Sequence, residues 1–227
     1  MTTFDVITIF PNSIKGYLEE SIIGRAEKNK LIKIRLHDLR GFSESKHKKV
    51  DDRPYGGGPG MVLMLQPLVS AMDRVAKALG ASAKKSETEV VVFAAGGKQF
   101  DQKTADLWAR RRKHLIFVCG HYEGIDARLV PILKKSGWKV SEISIGPYVL
   151  TGGEVPAMAV IDAVSRRLPG VLGKGESIEE MRHGVGVPVF TRPEVFTLRG
   201  KKYLVPKELL SGNHRAIEKW RLEHKAK

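Results

Sequence analysis

The chain has 227 residues, 42% of them hydrophobic and 28% charged, with a formal net charge of +14. That length and balance describe a chain able to bury a real core and exclude a disordered or low-complexity one. A single cysteine, Cys119, excludes an intramolecular disulfide and a multi-cysteine zinc site, and no apolar run approaches the ~20 residues that span a bilayer. In chain order, residues 4–10 read as a strand ending at Pro11, residues 14–28 as a helix, and residues 31–36 as a second strand. The polar, glycine-rich stretch 38–60 is too long for a simple connection. Residues 67–79 follow as a helix with Pro67 in its first turn and Gly80 after its end.

Beyond a lysine-rich loop at 83–88, strands and helices alternate. Strands fall at 90–93, 114–119 and 139–145, and helices at 101–112, 126–135 and 154–168, with Pro156 tolerated in the first turn of the last. This alternation predicts an α/β fold: a mostly parallel sheet with helices on both faces, whose ligands gather at the carboxyl ends of the strands. The loops after Val92, Cys119 and Ile145 sit at such ends. Pro169 and Gly170 close the region, which we take as a domain over residues 1–172. A polar linker follows at 173–186, then a small basic unit over 187–227 that reads as mainly helical. Residues 191–227 hold 10 Lys/Arg against 4 Asp/Glu. Asn213 suits an N-cap there, and Ile217 and Trp220 share a helical face, which makes Trp220 a core residue.

The positive excess favours a polyanionic partner, nucleic acid ahead of an anionic membrane surface. The lone cysteine fits a reducing, cytoplasmic setting, and the first ten residues lack the pattern of a secretory signal. No phosphate-binding G-x-x-x-x-G-K-[ST], no G-x-G-x-x-G between strand and helix, and no zinc-protease or nucleophile-elbow pattern occurs. The chain instead carries three glycine-rich punctuations, at 51–61, 119–126 and 144–154. Together they suggest one site built mostly from backbone, since glycine lets main chain approach where a Cβ would collide. No Lys or Arg falls within 144–154, so a neutral or cationic ligand is implied rather than a phosphate.

Six segments, DDRPYGGGPGM (51–61), CGHYEGID (119–126), SIGPYVLTGGE (144–154), DAVSRRLPGVLG (162–173), TRPEV (191–195) and LLSGNH (209–214), resemble in order the blocks of bacterial tRNA (guanine-N1)-methyltransferases, which methylate guanosine 37. The resemblance implies a SPOUT-type fold with a C-terminal trefoil knot, a homodimer, and S-adenosylmethionine bent within the knot. The matching cofactor positions are Val92, Phe93, Ala94 and Ala95; Gly120 and Glu123; and Ile145, Gly146, Pro147, Tyr148, Val149 and Leu150 followed by Gly152, Gly153 and Pro156. Between Gly146 and Tyr148 the family carries aspartate, whereas this chain has Pro147, which removes one N–H and one carboxylate.

Methylation at guanine N1 needs a base for the N1 proton and a cation for charge developing on O6. The resemblance assigns the cation to Arg166; the plain reading of that residue is a solvated cation at a helix end. The family's linker aspartate is absent, and Glu180 or Glu179 is the nearest carboxylate, with His183 a weaker base and a solvated acidic pair the plain reading. Asp51, Asp52 and Arg53 are candidates for reading the target base, and Arg192 and Asn213 for RNA contact. Tyr55 is open between site and core. A divalent ion such as Mg2+ is left open, and a non-catalytic RNA-binding protein on the same scaffold is the alternative function.

Overall fold

The structure, a computed structural model, describes residues 1–80, 85–173 and 186–225, and divides into two compact units, Met1–Val171 and Leu172–Lys227. In the first unit five strands form one sheet: β1 (Thr2–Thr8), β2 (Ile32–Asp38), β5 (Thr88–Gln99), β6 (His114–Val118) and β7 (Val140–Ser144). Their order is β2-β1-β6-β5-β7, and every neighbouring pair is parallel. Two-residue strands β3 (Asp51–Asp52) and β4 (Val62–Leu63) pair separately and antiparallel.

The period-two alternation of the strands sends apolar side chains to both faces. Phe4, Val6, Val91, Leu115 and Phe117 pack under helices α1 (Pro11–Leu18), α2 (Ser21–Lys28), α4 (Gln102–Arg111) and α6 (Glu154–Ser165). Ile7, Val90, Val92, Ile116 and Val118 pack under α3 (Leu65–Leu79) and α5 (Leu129–Lys135). A parallel sheet covered on both faces is what the alternating pattern predicts.

Several boundaries differ from the sequence reading, among them β1, which spans Thr2–Thr8 rather than 4–10, and α6, which ends at Ser165 rather than 168; three others have a clear local cause. The single helix expected over 14–28 is two helices: Pro11 opens α1 rather than merely ending the strand, and the chain turns sharply before Ser21. A Cβ at Gly24 would lie 2.0 Å from the Glu19 carbonyl oxygen, so glycine there allows the turn. Strand β5 runs on to Gln99, with its register on β7 broken between Phe93 and Lys98. Helix α5 starts at Leu129 rather than 126, because the Asp126 carboxylate accepts from the Arg128 backbone N–H at 2.9 Å and its guanidinium at 2.6 Å.

Asp5 is wholly buried in β1 and anchors the edge strand. Arg35 donates to both its oxygens at 2.7 and 2.6 Å, and His37 Nε2 lies 2.7 Å from Oδ1. Burial pushes this carboxyl up most strongly, but hydrogen bonds from His37 and Arg35 and their charges outweigh it and hold Asp5 below its ordinary value. A depressed carboxylate stabilises the fold above its unfolded pKa, and that stabilisation is lost as pH falls through the folded value. We expect Asp5→Asn to cost about 3 kcal/mol at neutral pH, since it strips the partner from a buried pair. Urea unfolding at stepped pH should show the wild type losing that margin below the ordinary carboxylate range while the variant's curve stays flatter.

The second unit is less helical than expected. Strands β8 (Val195–Leu198) and β9 (Lys201–Leu204) form an antiparallel hairpin, followed by α7 (Lys207–Leu210) and α8 (His214–Glu223). The hairpin closes on Arg199 and Gly200, both at positive φ (50° and 76°), the geometry of a two-residue turn. Asn213 caps α8, accepting from the N–H groups of Arg215 and Ala216. Trp220 is buried between Phe190, edge-on at 6.0 Å, and the stacked ring of His224.

Candidate active site

Three connections leave the carboxyl edge of the sheet close together: residues 94–97 within β5, 119–126 after β6 and 145–153 after β7. The last two cross. Gly152 forms an antiparallel bridge with His121, and the Gly153 N–H donates to the Gly120 carbonyl at 2.9 Å. A Cβ at Gly153 would stand 2.6 Å from Cys119 Cα, and one at Gly152 would stand 2.3 Å from Glu154 Oε2 and 2.6 Å from His121 Nδ1. Gly152 thus leaves room for the side chains of Glu154 and His121, and Gly153 serves close passage of one backbone over another. Gly97 plays the same part against β7, where an added Cβ would meet Glu142 and Ile143 main chain at 2.7 Å.

Beneath the crossing, Thr8 donates its hydroxyl to Glu154 Oε1 at 2.5 Å and ties the first turn of α6 to the end of β1. Cys119 is buried beside it; burial, followed by the Glu154 charge, pushes its thiol well up, which leaves it a neutral core group. The 51–63 segment packs against the 119–126 loop. Glu123 N–H donates to the Met61 carbonyl, and Leu63 N–H to the Gly124 carbonyl, each at 3.0 Å. Gly60, at φ +89°, leaves room that the Glu123 side chain occupies.

These loops enclose a cleft of about 520 Å³. Its lining includes Val92, Phe93, Ala94, Ala95, Gly120, Glu123, Ile145, Tyr148, Val149, Leu150, Gly152, Gly153 and Pro156. Gly146 and Pro147 are outside that lining. Gly146 is buried behind the loop, bonded through its carbonyl to the Ser144 hydroxyl at 2.8 Å, and a Cβ there would strike the Tyr148 ring at 2.1 Å; Pro147 is exposed. His121, Tyr122, Glu142 and Thr151 also line the cleft and were not singled out from sequence. Strand alternation beside the buried Ile143 was the one signal for Glu142. Among the described residues no Lys or Arg lines the cleft, and its charged members are the carboxylates of Glu123 and Glu142.

The other candidates fall elsewhere. Arg166 is the C-cap of α6, its N–H bonded to the Asp162 carbonyl at 3.0 Å. The cleft touches only the beginning of that 12-residue helix, so Arg166 lies about 18 Å further along the axis. Gly170, just beyond it, sits against Leu31 at the amino end of β2, on the opposite edge of the sheet. Glu179, Glu180 and His183 lie outside the described residues. Asp51 and Asp52 stand in β3, on the segment that packs against Glu123. Asp52 is held below its usual value, first by the Lys49 ammonium at 3.0 Å and then by the Arg53 backbone N–H. Arg53 and Tyr55 are exposed, which removes Tyr55 from the core. Arg192 lines a groove within the second unit, and Asn213 is used as a helix cap. Among the described residues no cluster of three or more His, Cys, Asp or Glu could hold a metal ion, and no helix is long and apolar enough to cross a membrane.

The model of the family described as tRNA (Guanine-1)-methyltransferase TrmD matches residues 2–227. Similar proteins named tRNA (guanine-N(1)-)-methyltransferase include those of Alkaliphilus oremlandii, 45% identical over 95% of this chain and 84% of its own length, and of Ruminiclostridium cellulolyticum, 44% identical over 97% and 89%. The Haemophilus influenzae protein of that name is 47% identical over 96% of this chain and 84% of its own. With a match running through every loop of the cleft and on through the second unit, the chain belongs to the tRNA (guanine-1)-methyltransferase family, TrmD.

Proposed function

We propose that this methyltransferase moves the methyl group of S-adenosylmethionine to N1 of guanosine 37 in tRNA. The observation that carries the reading is the lining of the cleft: glycines and apolar residues, uncharged polar side chains such as Tyr148 and Thr151, two carboxylates and, among the described residues, neither Lys nor Arg. A sulfonium donor is cationic and carries no phosphate, so it suits such walls. His121 Nδ1, buried at the cleft without a hydrogen-bond partner among the described residues, is a further polar group available to it. When bound, the donor supplies an electrophilic methyl group. Residues 93–95, 120, 145 and 148–150 offer backbone N–H and C=O groups for its polar parts, and Glu123 and Glu142 offset its charge. Gly152 and Gly153 keep the floor free of side chains.

The target nitrogen must lose its proton, and charge then gathers on O6. Arg166 supplies a fixed guanidinium for that oxygen. Glu180 or Glu179 takes the proton. The distance of Arg166 from the cleft of its own chain supports a homodimer in which a partner's α6 completes the site. Val155 and Ala159 form an outward stripe along that helix, ending at Asp162 and Arg166, and a second copy could cover it. The close crossings at Gly97, Gly152 and Gly153 suit a trefoil knot. Residues 1–172 then form the cofactor-binding domain and 187–227 the RNA-binding one, with Asp51, Asp52 and Arg53 reading the base and Arg192 and Asn213 meeting the RNA, in the cytoplasm. Family membership does not favour the non-catalytic alternative.

The test is methyl incorporation from labelled donor into an unmodified tRNA transcript. A G37 transcript should yield 1-methylguanosine and an A37 transcript none; no incorporation into G37 would overturn the reading. Of Glu179→Gln and Glu180→Gln, the one that removes the base should abolish turnover while leaving donor affinity intact. Repeating the assay with EDTA reads any part played by Mg2+.

A further inference from the structure

The β8–β9 hairpin exposes aromatic rings that its own unit does not cover. Phe196 and Tyr203 are cross-strand partners, as are Leu198 and Lys201, so the pleat puts all four on one face. Phe196 is 55% exposed, Tyr203 54% and Leu198 50%. A two-stranded ribbon is too narrow to bury a core of its own, so large rings displayed this way need something to cover them. The charge around them indicates what. Residues 195–205 contain Arg199, Lys201 and Lys202 and no Asp or Glu. Lys201 shares the aromatic face, and the tight turn fixes Arg199 at the tip.

An apolar protein surface laid on this face would desolvate cations without pairing them. A nucleic-acid strand alternates what the hairpin alternates: flat bases for the rings, and phosphates for the ammonium and guanidinium groups. We propose that Phe196 and Tyr203 form a stacking platform for an unpaired base of the RNA substrate, with Lys201 and Arg199 meeting the adjoining phosphates. The proposal rests on the tRNA reading above and adds to it a named surface and mode of contact.

The test pairs two variants in anisotropy titrations of an unmodified G37 tRNA transcript over a range of salt concentrations. Phe196→Leu/Tyr203→Leu keeps apolar bulk on the hairpin and removes the rings. It should weaken binding about tenfold or more with the salt slope unchanged, because stacking releases no counterions. Lys201→Ala should lower the slope of log K against log salt by about 0.7–0.9. Donor affinity stays at the wild-type value in both and shows the first unit intact, and an unchanged circular-dichroism spectrum and melting curve show that the second unit keeps its fold. Wild-type tRNA affinity in the double-leucine variant overturns the platform, as does a change in oligomeric state, which would mark the face as a protein contact. A wild type that neither binds nor methylates tRNA overturns the underlying reading instead.

Discussion

Gly153→Ala should abolish binding of S-adenosylmethionine. The position has φ −84° and ψ −2°, a conformation alanine adopts without strain, so the whole effect comes from the added methyl group. That group would stand 2.6 Å from Cys119 Cα, 3.0 Å from its Cβ and 3.2 Å from the Gly120 nitrogen. These atoms belong to the buried end of β6 and cannot swing aside as a flexible side chain would. Relief requires the 145–153 loop to lift, which breaks the Gly153–Gly120 hydrogen bond and parts the two loops that line the cleft. Overpacking of this kind costs about 1–3 kcal/mol of stability. Calorimetry should show donor affinity reduced beyond measurement at ordinary concentrations, with the melting temperature lowered by several degrees, roughly as that cost implies. Gly16→Ala is the matched control: nothing lies within 4 Å of its added Cβ, so donor affinity should not change. Unchanged affinity in Gly153→Ala would mean that the crossing does not shape the donor site.

Arg166→Ala should show the complementary pattern, a turnover lowered about 10²–10³-fold with donor affinity unchanged. The split follows from position: the cleft lies at the start of α6 and Arg166 at its end. Should the site draw Arg166 from a second copy, mixing Arg166→Ala with Gly153→Ala protein restores turnover, because a mixed pair contains one intact cleft facing one intact arginine. Single-turnover assays of each variant and of the mixture test this directly. Full turnover by Arg166→Ala alone would remove the residue from the chemistry.

Much of this fold could be read from the chain because its elements announce themselves locally. Apolar runs such as Val90–Val92 and Leu115–Val118 are bounded by turn residues, and the helices between them carry 3.6-residue periodicity, Asn213 and Gly80 marking their ends. What escaped notice depends on contacts distant in sequence. The break between α1 and α2 is permitted by Gly24 against Glu19, which no periodicity reveals. The continuation of β5 through residues 94–99 depends on Gly97 lying against β7. The hairpin at 195–204 was hidden because its lysines and exposed rings do not alternate as a half-buried strand does. At the site, the glycine clusters at 119–126 and 144–154 pointed to two of the loops that line the cleft. His121 and Glu142 went unseen because each reaches the cleft only through the way three loops come together. Gly146, expected at the ligand, is outside the cleft lining, and a Cβ added there would strike the ring of Tyr148.

The crossing at Gly152 and Gly153 also constrains how this site can drift over generations. The course of the three loops sets much of the cleft's outline, so exchanging one exposed lining side chain for another leaves that course in place. Growth is the forbidden direction at Gly153: no heavier residue can enter there without prising the threads apart, whereas at Gly152 the side chains of Glu154 and His121 would have to move. A binding surface of this sort tolerates varied spelling around it and admits almost no novelty at its centre.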